Sequence, residues 1–534
     1  MSTMQSLRSA LTSGVFRSPL YRRTLDGPIP EIRRSLPWSA PGDRTQADAI
    51  IGEEYIFFGR PVPFGAIPWS VLPPGAGLAK ALHGFAWLGD LKAAGSDAAR
   101  LRARALVMGW IMTHRRWSLP AWAPTVLGSR LAAWLATAPF VLDGASGDEK
   151  ARFLESAGLQ ARHLRRVTGE LTGSEGVFTA IRGEVAAALC LGIIPLAPAL
   201  DRLDRELVRQ ISGDGGHASR DPQTLLGIFC CLLDIRGALA EAEETAPPAL
   251  QAAIERMAPM LRMLRHGDGR LALFQGAKES DRTLIDSLLA TSKVGVGPQP
   301  SAPDTGYERF VAGRSLVLVD TGPPAAAGHA APLAFEMSLG RERIIVNCGA
   351  YGGDEARWRA ALRSTPAHST LVVEDASAAG SGWPIRRPLQ VASLRQETEG
   401  AIWLEGSHSG YVRRFGLVHT RRLYLADGGT DLRGEDLLEG RGRCAFRLRF
   451  HLHPDIDAKL APDGSSVSLR TVSGIVWRFF AVGGNLGLED STYLGATDQP
   501  RKTCQIVVSG TTLQGYARVK WALRQNGDGQ APAE

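Results

Sequence analysis

VGVGPQPSAPDTG, residues 294–306, separates two parts of a 534-residue sequence that differ in hydrophobic period. Its Pro, Gly and small polar residues read as a linker. Before it, apolar residues recur every three or four positions. Leu78, Leu82, Phe85, Leu88 and Leu91 form one stripe, and Leu101, Leu106, Trp110 and Ile111 begin another, as amphipathic helices require. After it the period becomes two. In LAFEMSL, Leu333, Phe335, Met337 and Leu339 alternate with Ala334, Glu336 and Ser338, the pattern of a half-buried strand.

Further helical stretches are predicted near 127–140, 148–164, 179–192, 200–211, 222–241 and 248–264. Short Gly, Pro and Asp segments between them suggest antiparallel helical hairpins, a series long enough to curl into an α/α toroid or solenoid. RSLVLVD, RIIVN, TLVVE, AIWLE, HTRRLYL, IVWRFF and QIVVS follow the linker at short intervals, the composition of an antiparallel β-sandwich. The expected organisation is therefore α+β and multidomain. It comprises an N-terminal extension (1–45), a helical domain (46–293), the linker (294–306), a β domain (307–516) and a disordered tail (517–534).

With 44% hydrophobic and 22% charged residues, the composition is that of a folded globular protein. The net charge of +7 is dispersed among acids, which argues against nucleic acid and suits an anionic small molecule or polysaccharide. Six cysteines without paired zinc spacing read as reduced thiols. The basic N-terminus has no sustained apolar core, so the sequence alone points to the cytoplasm. The apolar run 185–200, broken by Pro195 and Pro198, is shorter than the roughly 20 residues of a spanning helix, and no transmembrane segment is expected.

Three stretches could carry chemistry. CAFRLRFHLHP (444–454) sends Cys444, Phe446, Leu448, Phe450 and Leu452 to one face and Arg447, Arg449, His451 and His453 to the other. Two imidazoles at i and i+2 can share a metal; Asp375 or His368 would complete the set, a structural zinc being the one metal considered and no cofactor being required. SHSGYVRRFGLVHTRRL (407–423) places His408 and Tyr411 beside a Ser-Gly turn, where functional groups collect. ISGDGGHASRDPQTLL (211–226) displays His217 and Arg220 on a loop whose Asp221-Pro222 reads as a helix N-cap and first turn.

Together with LHGFAWLGDLKAAG, FEMSLGRERIIVNCG and RSTPAHSTLVVED, these segments resemble the heparinase II/III-like family from roughly Gly52 to Gly510. The resemblance implies an incomplete α/α toroid followed by an antiparallel β-sandwich, and a polysaccharide lyase. Such enzymes neutralise a uronate carboxylate, take the proton from the adjacent carbon and expel the 4-linked sugar by β-elimination, which needs a carboxylate partner and a positioned base. The family's helical-domain motif Asp-Gly…Pro-x-Tyr is matched at Asp214, Gly215 and Pro222, with Thr224 in the tyrosine's place. His368 falls at a family histidine preceding Ser-Thr. Some lyases carry two histidines there, two apart, one catalytic and one associated with metal; here the first place is Pro366.

The leading expectation is a lyase of an acidic, uronate-containing polysaccharide. His217, His368, His408 and Tyr411 are its acid/base candidates; Arg182, Arg220 and Arg363 are its carboxylate binders. One alternative is a non-catalytic glycan-binding or envelope-associated protein that kept the fold. Another is a glycoside hydrolase, with Glu175, Glu184 and Asp214 available as carboxylates. The resemblance gives the periplasm or cell envelope as the alternative to the cytoplasm, and a homodimer is the protein assembly considered.

Overall fold

The computed structural model describes residues 14–63, 65, 69, 76–380, 385 and 389–525. Packing divides the chain into two units that the linear order interleaves. One holds the chain to Ile211, Gly227–Glu255 and Ser287–Val294; the other holds Ser212–Leu226, Arg256–Asp286 and the chain from Gly295.

The helical unit is built on Asp97–Thr113, Pro124–Val141, Gly147–Val167, Val177–Leu191 and Ala197–Gln210. Their starts follow local chemistry. Ser96 and Ser146 cap their helices, the latter in a reciprocal box with Glu149. Pro124 occupies a first turn, where its missing N–H costs nothing. Pro124–Val141 and Val177–Leu191 are apolar nearly all round, because each is packed on several sides. They cross at Gly128 and Gly183, where a Cβ on Gly183 would lie 2.5 Å from the Gly128 backbone. A two-stranded hairpin, Glu54–Phe57 with Arg60–Pro63, interrupts the early helices. Among the described residues, Pro222–Glu241 is the one helix long and apolar enough to cross a membrane; 61% of its apolar window is buried inside the protein.

The second unit is a sandwich of two antiparallel sheets. In the first, the order is Asp457–Leu460, Ser466–Arg470, Val476–Val482, Tyr516–Gln525, Asp431–Gly440, Leu417–Leu425, Ala401–His408 and Val391–Thr398. In the second, it is Asn485–Tyr493, Arg501–Thr511, Ala445–Leu452, Glu342–Val346, Phe335–Leu339, Ser315–Asp320, Tyr307–Ala312 and Ser301–Ala302, with Leu371–Val373 also on Ala445–Leu452. Phe335 and Phe450 from one sheet meet Phe479 and Trp521 from the other, with ring centroids 4.8 to 5.9 Å apart between Phe450, Phe479 and Trp521. Phe335 stacks on Trp521 at 5.7 Å. Such offset and edge contacts add to the burial of large apolar rings.

Two expectations need correction. The end of the linker is structured: Ser301–Ala302 pairs with Tyr307–Glu308 around a turn closed by Gly306 at φ +81. The expected tail begins as the strand Tyr516–Gln525, held between two neighbours because Val519, Trp521 and Leu523 face the core; residues 526–534 lie outside the described residues, as do 1–13 of the N-terminal extension. On the Arg and His side of Ala445–Leu452, Arg449 and His451 are buried beneath other segments while Arg447 stays partly exposed.

The glycine crossing sets a stability test. Gly183→Ala forces a methyl into backbone, and the expected cost is about 1–3 kcal/mol, read as a lowered thermal midpoint; an unchanged midpoint would mean that the helices separate freely.

Candidate functional site

The loop between Ala197–Gln210 and Pro222–Glu241 belongs to the sandwich unit. Asp214 folds it, accepting from the Thr305 amide at 2.7 Å, the Thr305 hydroxyl at 2.6 Å and the Gly216 amide at 3.1 Å. Asp221 caps the next helix through the Gln223 amide at 2.8 Å and accepts the Thr224 hydroxyl at 2.9 Å. Thr224 thus serves a helix start where the family resemblance would put a tyrosine.

Arg220 has a positive φ of 58 and a guanidinium engaged at all three nitrogens. It donates to the carbonyls of Thr305 at 2.6 Å, Pro323 at 2.7 Å and Gly306 at 2.8 Å, and it pairs with Asp320. Tyr307 lies under it at 4.9 Å and donates its hydroxyl to the Arg220 carbonyl. The expected carboxylate binder is therefore an internal clamp, because its donors face protein acceptors from three strand-end segments. His217, also buried, accepts the Ser219 amide on Nδ1 at 3.1 Å, and burial draws its pKa down to about 4.

Arg182 lies in the other unit. It donates to Asp234 at 2.9 Å and covers Trp38 at 5.3 Å, while Asp234 also accepts the Ser39 amide at 2.8 Å. The adjoining space is about 20 Å³, room for a water and not a sugar. Arg182, with Asp234, therefore fastens residues 38–39 to the helices. Glu184 is paired with Arg202 at 2.6 Å in this unit, and Asp214 is committed to its loop in the other.

His408 and Tyr411 are core residues. Tyr411 donates to the Leu371 carbonyl at 2.8 Å, and burial raises its pKa above the ordinary range. The Gly410 amide donates to His408 Nδ1 at 3.1 Å, so the His408 proton sits on Nε2. It is given to His419 Nδ1 at 3.0 Å, which leaves His419 Nε2–H to donate to Asp436 at 2.8 Å. Asp436 also receives Arg421 at 2.8 Å and the Trp521 indole at 2.9 Å. Burial would raise that carboxyl, but Arg421 and His419 hold it down at about 2.

The expected metal set does not converge. His451 donates Nε2–H to the Pro366 carbonyl at 3.0 Å and meets the Ser491 hydroxyl with Nδ1 at 2.7 Å. Asp375 pairs with Arg447 and Arg449, and His453 Nδ1 accepts the Asp455 amide at 3.3 Å. Among the described residues no group of three His, Cys, Asp or Glu could hold a metal ion.

His368 joins a residue that the sequence did not single out. Its Nδ1–H donates to the Ser364 carbonyl at 2.9 Å, so its Nε2 accepts from His329 Nδ1 at 3.0 Å. This fixes His329 Nε2 as the unprotonated nitrogen, and it has no hydrogen-bond partner among the described residues. Gly276 faces it, a Cβ there lying 3.4 Å away. The His329 amide donates to Gln275 Oε1 at 3.2 Å, and Gln275 donates to Asp320 at 2.6 Å. Burial first, then His368 and the Arg363 charge, push the His329 pKa well down. Arg363 itself ends the helix Ala356–Arg363, half-buried, its carbonyl taking the Ala330 amide at 2.9 Å. The only sequence signal for His329 was an isolated histidine after glycine in a Gly- and Ala-rich loop.

Helical hairpins and a two-sheet antiparallel sandwich define the architecture of an α/α toroid followed by a β-sandwich. The family profile "Heparinase II/III-like, C-terminal" matches residues 295–522. The crystal structure of heparinase III is similar at a TM-score of 0.71 and 12% identity, over 95% of this chain and 88% of that one. Heparan sulfate lyase HepC from Pedobacter heparinus gives 0.61 and 16%, over 100% and 92%. Both likenesses concern the fold. FtsZ-localized protein C of Caulobacter vibrioides is 32% identical over 544 residues, covering 95% of this chain and 93% of its own length. The chain belongs to the heparinase II/III-like family.

The buried neutral histidines give a signed pH dependence. Unfolded histidine takes up a proton near pH 6.5; His217 and His368 hold out to about 4. Stability should fall as pH drops from about 6.5 toward 4, by up to roughly 1.4 kcal/mol per pH unit for each such histidine. Thermal melts across that range test it, and a flat profile would contradict the neutral assignments.

Proposed function

We propose that this chain is a lyase-fold protein of the bacterial cell-division apparatus, acting by binding rather than by β-elimination. The observation that carries the reading is the engagement of Arg220. The arginine on the loop with the family motif is consumed by Asp320 and three carbonyls, while Thr224, where the resemblance would put a tyrosine, donates to the helix-capping Asp221. A charge with its donors already satisfied gains little by meeting a substrate carboxylate. The relationship to FtsZ-localized protein C supports work at the FtsZ assembly, on the cytoplasmic side. Six free thiols suit a reducing compartment.

A fluorescent fusion should gather at midcell with FtsZ, and purified chain should co-sediment with FtsZ polymers. Diffuse signal together with no co-sedimentation would remove the reading. Incubated with uronate polymers, the protein should release no unsaturated sugar.

One observation favours a second reading, in which elimination survives. The His329 Nε2 lone pair is oriented by His368, and Arg363 supplies charge close by. In that chemistry Nε2 takes the proton next to the uronate carboxylate, the C–H electrons form the double bond, and the C–O bond breaks with its pair on the departing sugar oxygen, which takes a proton from water. Unsaturated product that disappears in His329→Ala would establish it over the first.

A further inference from the structure

The helical unit contains a cavity of about 910 Å³, within the range of small-molecule sites. Its walls are the segment around the helix Pro19–Arg23, the chain after Asp97–Thr113 and one side of Gly147–Val167. Arg17, Arg22, Arg23, Arg115, Arg116 and Arg162 line it, against only Asp26 and Glu155 among acids.

Two of these arginines are occupied. Arg22 approaches Glu155 at 3.7 Å, and Arg162 donates to the carbonyls of Leu25 and Pro28 at 3.1 Å each. The guanidinium groups of Arg23, Arg115 and Arg116 have no hydrogen bond or ion pair among the described residues, and Arg17 lies 5.9 Å from the Trp117 ring centre. The thirteen residues before Gly14 contain no Asp or Glu to offset them.

The remaining wall is aromatic. Phe16, Tyr21, Trp117, Trp122 and His163 form a continuous cluster with ring centroids 4.8 to 5.7 Å apart. Trp122 is only 6% exposed, yet its indole N–H has no partner among the described residues, and neither has that of Trp117. Buried donors are rarely left unsatisfied.

We infer that this cavity binds a small polyphosphorylated ligand with a planar ring, the chemistry of a nucleoside di- or triphosphate. Guanidinium forks match phosphate oxygens in pairs. Several uncompensated charges call for several negative charges on one small molecule, which a single carboxylate does not supply. The aromatic wall and the indole donors then suit the ring and its polar edge. The inference stands apart from the proposed division role and from the His329 cluster.

The test titrates the full chain with fluorescently labelled ADP and GDP, followed by polarisation, with pyrophosphate as competitor. Saturable binding that pyrophosphate displaces, weakened at least tenfold in Arg115→Ala/Arg116→Ala, is the expected result. Both arginines are exposed, so the variant should keep the parental circular dichroism and thermal midpoint; Trp117→Phe, which keeps an aromatic ring, provides a second variant with weakened binding. Raising salt should loosen the complex. No saturable binding, binding indifferent to the double substitution, or binding that pyrophosphate does not displace would overturn the inference.

Discussion

The Arg220 clamp is the interaction on which the polar interior of the sandwich unit depends. Taking a guanidinium out of water is costly unless each donor finds an acceptor in good geometry. Here the acceptors are carbonyls of residues 305, 306 and 323 and the carboxylate of Asp320. From Asp320 the network passes through Gln275 to the His329 backbone, and from the His329 ring to His368. A loop supplied by the helical half of the sequence is thereby made part of the sandwich. Charge that elsewhere could meet a substrate is spent on architecture.

The same economy governs the imidazoles. His408, His419 and His451 use their ring nitrogens as hydrogen-bond hardware between strands, and their burial keeps them neutral. Direction along the His408–His419–Asp436 chain is fixed by one backbone N–H at Gly410, since that donor decides where the first proton sits. A histidine count high enough to suggest catalysis is largely a count of internal struts. His329 differs because its second nitrogen is set free by the same logic that occupies the others.

Periodicity made the elements legible. The helices expected at 222–241 and 248–264 occur as Pro222–Glu241 and Pro248–Met263, and the alternation in LAFEMSL became Phe335–Leu339 with its core face as read. What periodicity could not supply was the covering of the opposite face. Arg449 and His451 sit on the predicted polar side of their strand, yet Asp375, Gln505, Ser491 and Pro366 lie over them. Site assignments suffered from the same blindness to distance: Arg220 finds Asp320 a hundred positions on, and His329 finds His368 thirty-nine on. His408 and His419 were closer to being readable, since the hairpin of Ala401–His408 with Leu417–Leu425, joined through residues 409–416, sets them directly opposite in register.

The interleaving of the two packing units reaches beyond the site. Residues 212–226 and 256–286 are synthesised among helices but find their partners in strands that come later. The change of period at 294 marks where secondary structure switches, and it is a poor place to cut. A fragment ending there would carry two segments with their polar groups orphaned, and the complementary fragment would lack the Asp214 and Arg220 contacts that close its loops. Dissection of this protein into working halves, and any fusion that splits it, must follow the contacts and not the sequence order.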